Sequence, residues 1–142
     1  MLFMLEYILY CNSIKFVQHS LYNYVVDAST LSQRYNSFES EFLLFTEYTR
    51  LNKAIAKKFT FTPTDKSQRC GALMLMRSIY SLYKKRGHSK KDRILIIKKI
   101  KQDYSKFLKR HYTPNIKFLK ILKHLLFFNL NIFDTICNIK LR

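Results

Sequence analysis

Two glycines and two prolines are the only strong backbone breakers in 142 residues. A chain so poor in them lacks the tight turns of a β-sandwich, and long helices are the expected solution. Hydrophobic residues make up 48% of the chain, enough for one domain with a real core at this length. The expected fold class is mainly α: a short N-terminal helix and a two-strand β element, followed by a basic bundle of about four amphipathic helices.

Apolar spacing places those elements. Residues 1–11 suit a helix with Leu2, Leu5 and Leu9 on one side. Residues 14–17 and 21–26 are β-branched and aromatic runs, parted by Gln18, His19 and Ser20, and read as two short strands. From residue 37 the helical period takes over. Asn36 and Glu39 have capping-box spacing ahead of Phe38, Phe42, Phe45, Tyr48 and Ile55, predicting a helix over 37–58. Thr62, Pro63 and Asp65 signal the next start, running through Leu73, Met76 and Tyr83 to Gly87. Ser89 and Asp92 form another capping box, and Thr113 with Pro114 opens the last helix, whose Leu122, Leu125 and Leu126 lie opposite Lys117, Lys120 and Lys123. Two regions follow: 1–35 and a basic helical region over 36–142.

The formal charge of +17 is unevenly placed. Residues 1–50 carry three basic and five acidic side chains, while 51–142 carry 23 basic and four acidic ones. A basic field of this size is met by nucleic acid phosphates, anionic lipid head groups or an acidic partner. The run from Lys84 to Arg93 has the charge of a nucleic-acid patch but no interleaved aromatic platform, and is better explained as an exposed connection between helices. Lysines 98, 101, 109, 117, 120 and 123 differ, because wide apolar faces lie opposite them. Lys98, Lys101, Lys109, Lys117, Lys120 and Lys123 are therefore the candidate contacts to an anionic membrane surface or another anion.

No catalytic constellation is visible. His19, His88, His111 and His124 stand apart from one another and from Cys at ligand spacing, so no metal site is expected. Asp27, Glu39, Glu41 and Glu47 are more cheaply explained by capping and solvated helix faces than by acid-base work. Two glycines cannot form a phosphate-binding loop. Cys11, Cys70 and Cys137 read as buried free thiols, which points to a reducing cytosol. No stretch of about 18 uncharged residues exists to cross a bilayer, so the expected location is cytoplasmic, peripheral at the inner membrane face.

Read as a unit, Phe3 to Ser32 resembles the closing segment of the catalytic domain in bacterial family-two glycosyltransferases of the GT-A fold, enzymes of surface polysaccharide and lipooligosaccharide synthesis. The shared order is a helix like Phe3 to Cys11, a strand like Ile14 to Val17, a Leu-Tyr-x-Tyr strand like Leu21 to Tyr24, a Ser/Thr turn at Ala28, Ser29 and Thr30, and a basic helical tail. Val25 stands where that family often has Arg. The family's Glu-Asp pair, with its acceptor-activating Asp, would fall just before Met1, and its Asp-x-Asp motif has no counterpart here.

The resemblance implies a C-terminal part of an enzyme that moves a sugar from a nucleotide donor to a surface glycan, inactive by itself, with no catalytic residue in this chain. It implies that Tyr24, Ser29 and Thr30 border the substrate cleft. The intact family would use a divalent metal, Mn²⁺ or Mg²⁺, with the nucleotide sugar, and the partner would be a catalytic domain that this chain lacks or an anionic membrane. The alternative is a stand-alone basic helical module binding nucleic acid or an anionic membrane surface.

Overall fold

The computed structural model describes residues 2–13, 37–84 and 87–141, which form six helices. In chain order these are α1 (Leu2–Tyr10), α2 (Phe38–Lys58), α3 (Asp65–Lys84), α4 (Lys90–His111), α5 (Lys117–Phe128) and α6 (Leu130–Lys140). The mainly helical class is thus what the scarcity of breakers predicts. The expected strands at 14–17 and 21–26 lie outside the described residues, as do Tyr24, Ser29 and Thr30.

Helix α3 is the centre. Ala72, Leu75, Met76, Ile79 and Leu82 are almost wholly buried, and so are Ser78 and Ser81, whose hydroxyls donate back to the carbonyls of Leu75 and Ser78 at 2.8 and 2.6 Å. A helix can be buried with serines facing inward because that local bond satisfies the donor. Around it pack α2, α4 and α6. The faces of α2 and α3 meet as their period predicts, with Phe45, Tyr48, Leu51 and Ile55 buried. Rings join α2 to α4: Phe45 meets Tyr104 edge-on with centroids 5.2 Å apart and Phe107 at 6.1 Å. From α5 and α6, Leu122, Leu126, Phe133 and Cys137 complete the core. Leu73 is the exception among the leucines of α3, 56% exposed.

Helix starts agree with the sequence to within a few residues. The Ser89 hydroxyl accepts from the Asp92 amide at 3.2 Å and the Asp92 carboxylate accepts from the Ser89 amide at 3.2 Å, a full capping box. Helix α2 is capped by Ser37, which accepts from the Ser40 amide at 3.3 Å, rather than by Asn36. Thr64, not Thr62, takes the Ser67 amide at 3.3 Å, so α3 starts beyond Pro63. At the far end α3 is described to Lys84, and Gly87 lies in a turn.

The last helix departs most from expectation. Thr113 and Pro114 do not open it; α5 begins three residues later at Lys117, and its N-cap Ile116 makes no side-chain hydrogen bond. Nor does it run on, since Asn129 breaks it and caps α6 by accepting from the Ile132 amide at 3.1 Å. Among the described residues five helices therefore follow residue 37, against about four expected.

Helix α1 lies against α2. Leu5, Ile8 and Leu9 are half-buried there, while Phe3, Met4, Tyr7 and Tyr10 are exposed by 59% or more.

Candidate functional site, a lysine-lined cleft

Long lysines on adjacent amphipathic helices meet at two kinds of group: another helix's terminal carbonyls, and aromatic faces. The first explains why two of the six candidate lysines are not simply solvent-facing. The Lys123 ammonium, on α5, donates to the carbonyls of Lys109, at 3.1 Å, and Tyr112, which end α4. The Lys101 ammonium, on α4, donates at 3.2 Å to the Phe127 carbonyl in the last turn of α5. Each cation sits at the negative end of a neighbouring helix. Burial lowers the pKa of both, and the nearby Lys109 charge adds to the effect at Lys101. In the same way Lys58 donates to the Leu9 carbonyl near the end of α1.

The second meeting builds a cleft. Lys109 lies 5.2 Å and Lys101 5.9 Å from the centre of the Phe127 ring, and Lys123 lies 6.0 Å from that of Tyr112, all within cation-π range. Beside them opens a cleft of about 520 Å³ lined by Lys109, Lys120, Lys123, His124, Phe127 and Phe128, with the Thr113–Pro114 turn as its rim. Thr113 and Pro114 thus serve as a wall, not a helix start. His124 stacks on Phe128 with centroids 6.4 Å apart. No carboxylate lines this cleft, and the sequence holds no Asp or Glu between Asp103 and Asp134.

Of the six candidate contacts, the cleft brings together Lys109, Lys120 and Lys123, with Lys101 held nearby through Phe127. Lys98 and Lys117 are exposed but do not line it. The three lining lysines crowd positive charge into a concave, partly apolar space, an arrangement that favours an anion with some apolar surface. Sequence reasoning missed the contribution of His124, Phe127 and Phe128; the one available signal was an adjacent Phe pair at the end of a lysine-studded helix.

Other charged groups turn out to be structural. Arg93, at the end of the basic run, is buried: its Nε and Nη2 donate to Asp134 Oδ1 and Oδ2 at 2.8 and 2.9 Å, and Nη1 donates to the His88 carbonyl at 2.9 Å. The Tyr83 hydroxyl donates to Asp134 Oδ1 at 3.0 Å. Burial, then the Asp134 charge, pushes the Tyr83 phenol far above its ordinary value. Glu41 is not on a solvated face; it is 4% exposed and pairs with Arg77 at 3.0 Å. Glu47 pairs with Arg50 at 2.8 Å, and Glu39 lies 3.8 Å from His88. Of the thiols only Cys137 is buried, while Cys11 and Cys70 are half-exposed.

Among the described residues no three His, Cys, Asp or Glu side chains stand together as a possible metal site, so the divalent metal that the resemblance implies has no ligand set in them. No helix among them is long and apolar enough to cross a membrane. No family model matches the chain, and no curated protein or solved structure is significantly similar to it.

Proposed function

We propose that this chain is the basic C-terminal region of a family-two glycosyltransferase, and that its helices hold the enzyme against an anionic membrane surface while the chain itself transfers no sugar. The observation that carries the membrane role is the outer surface of α5. Ile116, Ile121 and Phe128 are 62%, 55% and 85% exposed there, interleaved with exposed Lys117, Lys120 and His124. Apolar side chains set among cations, on a helix whose other face is buried, suit a helix lying at the head-group level of a bilayer. The exposed Phe3, Tyr7 and Tyr10 recur at helical spacing on α1 and offer the surface to which a catalytic domain would dock.

Flotation tests the membrane role. The chain should rise with phosphatidylglycerol vesicles at low salt, rise poorly with phosphatidylcholine vesicles, and lose binding as salt is raised, because the attraction is screened over about 10 Å at 0.1 M ionic strength. Equal binding to neutral vesicles would reassign the contact to apolar insertion. Saturable binding to a defined nucleic acid at about 0.15 M salt would favour the stand-alone module instead. Incubated with nucleotide sugars and Mn²⁺ or Mg²⁺, the chain should release no nucleoside diphosphate; release above a blank overturns the inactive-region reading.

A further inference from the structure

We infer that the cleft between the end of α4 and α5 is a binding site for one anionic phospholipid, with the headgroup phosphate among Lys109, Lys120 and Lys123 and the lipid's apolar part along Phe128. The inference rests on the membrane reading above and gives it a defined site.

Charge and shape select the ligand. Three ammonium groups share the cleft with no carboxylate to balance them. Holding them together costs repulsion that a bound anion removes. Lys123 already spends donors on the Lys109 and Tyr112 carbonyls. An ammonium has three donors, so one remains, and Lys123 is fixed in place for it. Lys109 is steadied over Phe127. The site therefore has two anchored cations and a freer one, Lys120.

Size and continuity choose among anions. About 520 Å³ is the volume of a small-molecule site and more than a bare phosphate fills. The rest of the lining is Thr113, Pro114, His124, Phe127 and Phe128, of which Pro114 and the two phenyl rings are apolar surfaces that inorganic phosphate leaves bare. Phe128 is the link, because it both lines the cleft and stands 85% exposed on the outer surface of α5. A ligand following that ring passes from the cations to the surface proposed to meet the bilayer. An anionic lipid has both ends in that order.

The test titrates the ¹⁵N-labelled full chain with monomeric dihexanoyl phosphatidylglycerol, with dihexanoyl phosphatidylcholine and with inorganic phosphate. Saturable shifts centred on Thr113, His124 and Phe128 are expected for phosphatidylglycerol, with weaker binding of the other two. Lys109→Ala and Lys120→Ala should each weaken phosphatidylglycerol about fivefold, the weight of one lysine near an anionic surface; Lys98→Ala, outside the cleft, should leave it unchanged. Phe128→Ser should weaken the lipid and spare phosphate. Lys123 is left intact because its loss would uncap α4.

Flotation separates the two readings. If the chain floats with phosphatidylglycerol vesicles but the monomer shifts nothing in the cleft, or if Lys98→Ala matters as much as Lys109→Ala, the site is overturned and the membrane role stands. Saturable monomer binding in the cleft without flotation supports the site and overturns the membrane role. Phosphate binding as tightly as phosphatidylglycerol overturns the lipid assignment, and so does a nucleoside diphosphate that binds more tightly.

Discussion

The Arg93 guanidinium and the Asp134 carboxylate meet side-on through two hydrogen bonds, 41 residues apart in the chain, with Arg93 7% and Asp134 2% exposed. This pair ties the start of α4 to α6, and the Tyr83 hydroxyl adds α3 to the same oxygen. Two parallel bonds also fix orientation, which a single point contact does not.

Breaking one side of that pair should be severe. Asp134→Ala leaves a buried guanidinium without its counter-ion, and Arg93→Ala strands the carboxylate; each should lose about 3–5 kcal/mol. The double replacement Arg93→Met with Asp134→Leu should recover most of the loss, because no uncompensated charge remains. Urea denaturation of the four proteins checks this, and a double variant as weak as the singles would show that the pair is not the cause.

The buried Cys137 thiol is pushed up to about 12, by burial first and then by the Asp134 charge. Its folded value is raised above the ordinary 9.0, so its contribution is fully present below that pH and is lost as pH rises through the folded value. Stability should therefore decline between about pH 9 and 12, less steeply in Cys137→Ala, which removes this one titration from those of the lysines and tyrosines. Near neutral pH, iodoacetamide should alkylate Cys11 and Cys70 well before Cys137, read by mass spectrometry.

Thr60 adopts φ 54° just past α2, where the Phe61 amide bonds back to the Ala56 carbonyl at 3.0 Å. That left-handed closing residue is ordinarily glycine, and a β-branched side chain there is strained. Thr60→Gly should stabilise the chain by about 1 kcal/mol; thermal melting that moves downward would contradict it.

Asn129 holds the first turn of α6. Removing that cap by Asn129→Ala should cost about 1 kcal/mol while raising the intrinsic helix propensity at the α5–α6 break. Circular dichroism at low temperature should show no loss of helix even as the melting midpoint falls. A midpoint that does not move would mean that packing alone sets the break.

What the sequence made legible follows from range. Ser89 and Asp92 are three residues apart, and their capping box is written in the chain; so are the stripes of α2 and α4. The mark that Thr113 and Pro114 offered for the last helix was misleading, since α5 starts at Lys117. The residue before Pro114 is biased to extended backbone, and Ile116 brings no capping side chain, so the fit of Leu122 and Leu126 into the core decides where the helix begins. Asn129 could have been read as a cap, since asparagine favours that position, but the apolar residues on either side hid it. The cleft was half legible: its lysines show in the helical period, whereas the donation from Lys123 to α4 joins residues no local pattern connects.

Those lysine-to-carbonyl bonds bear on any redesign of the surface. A variant made less cationic to improve its handling would usually replace lysines by glutamine wherever they look solvent-facing. Here Lys58, Lys101 and Lys123 are struts between helices, and a uniform replacement would loosen the frame along with the charge. Lys98 and Lys106, on α4, are exposed, and are the positions from which charge can be withdrawn first.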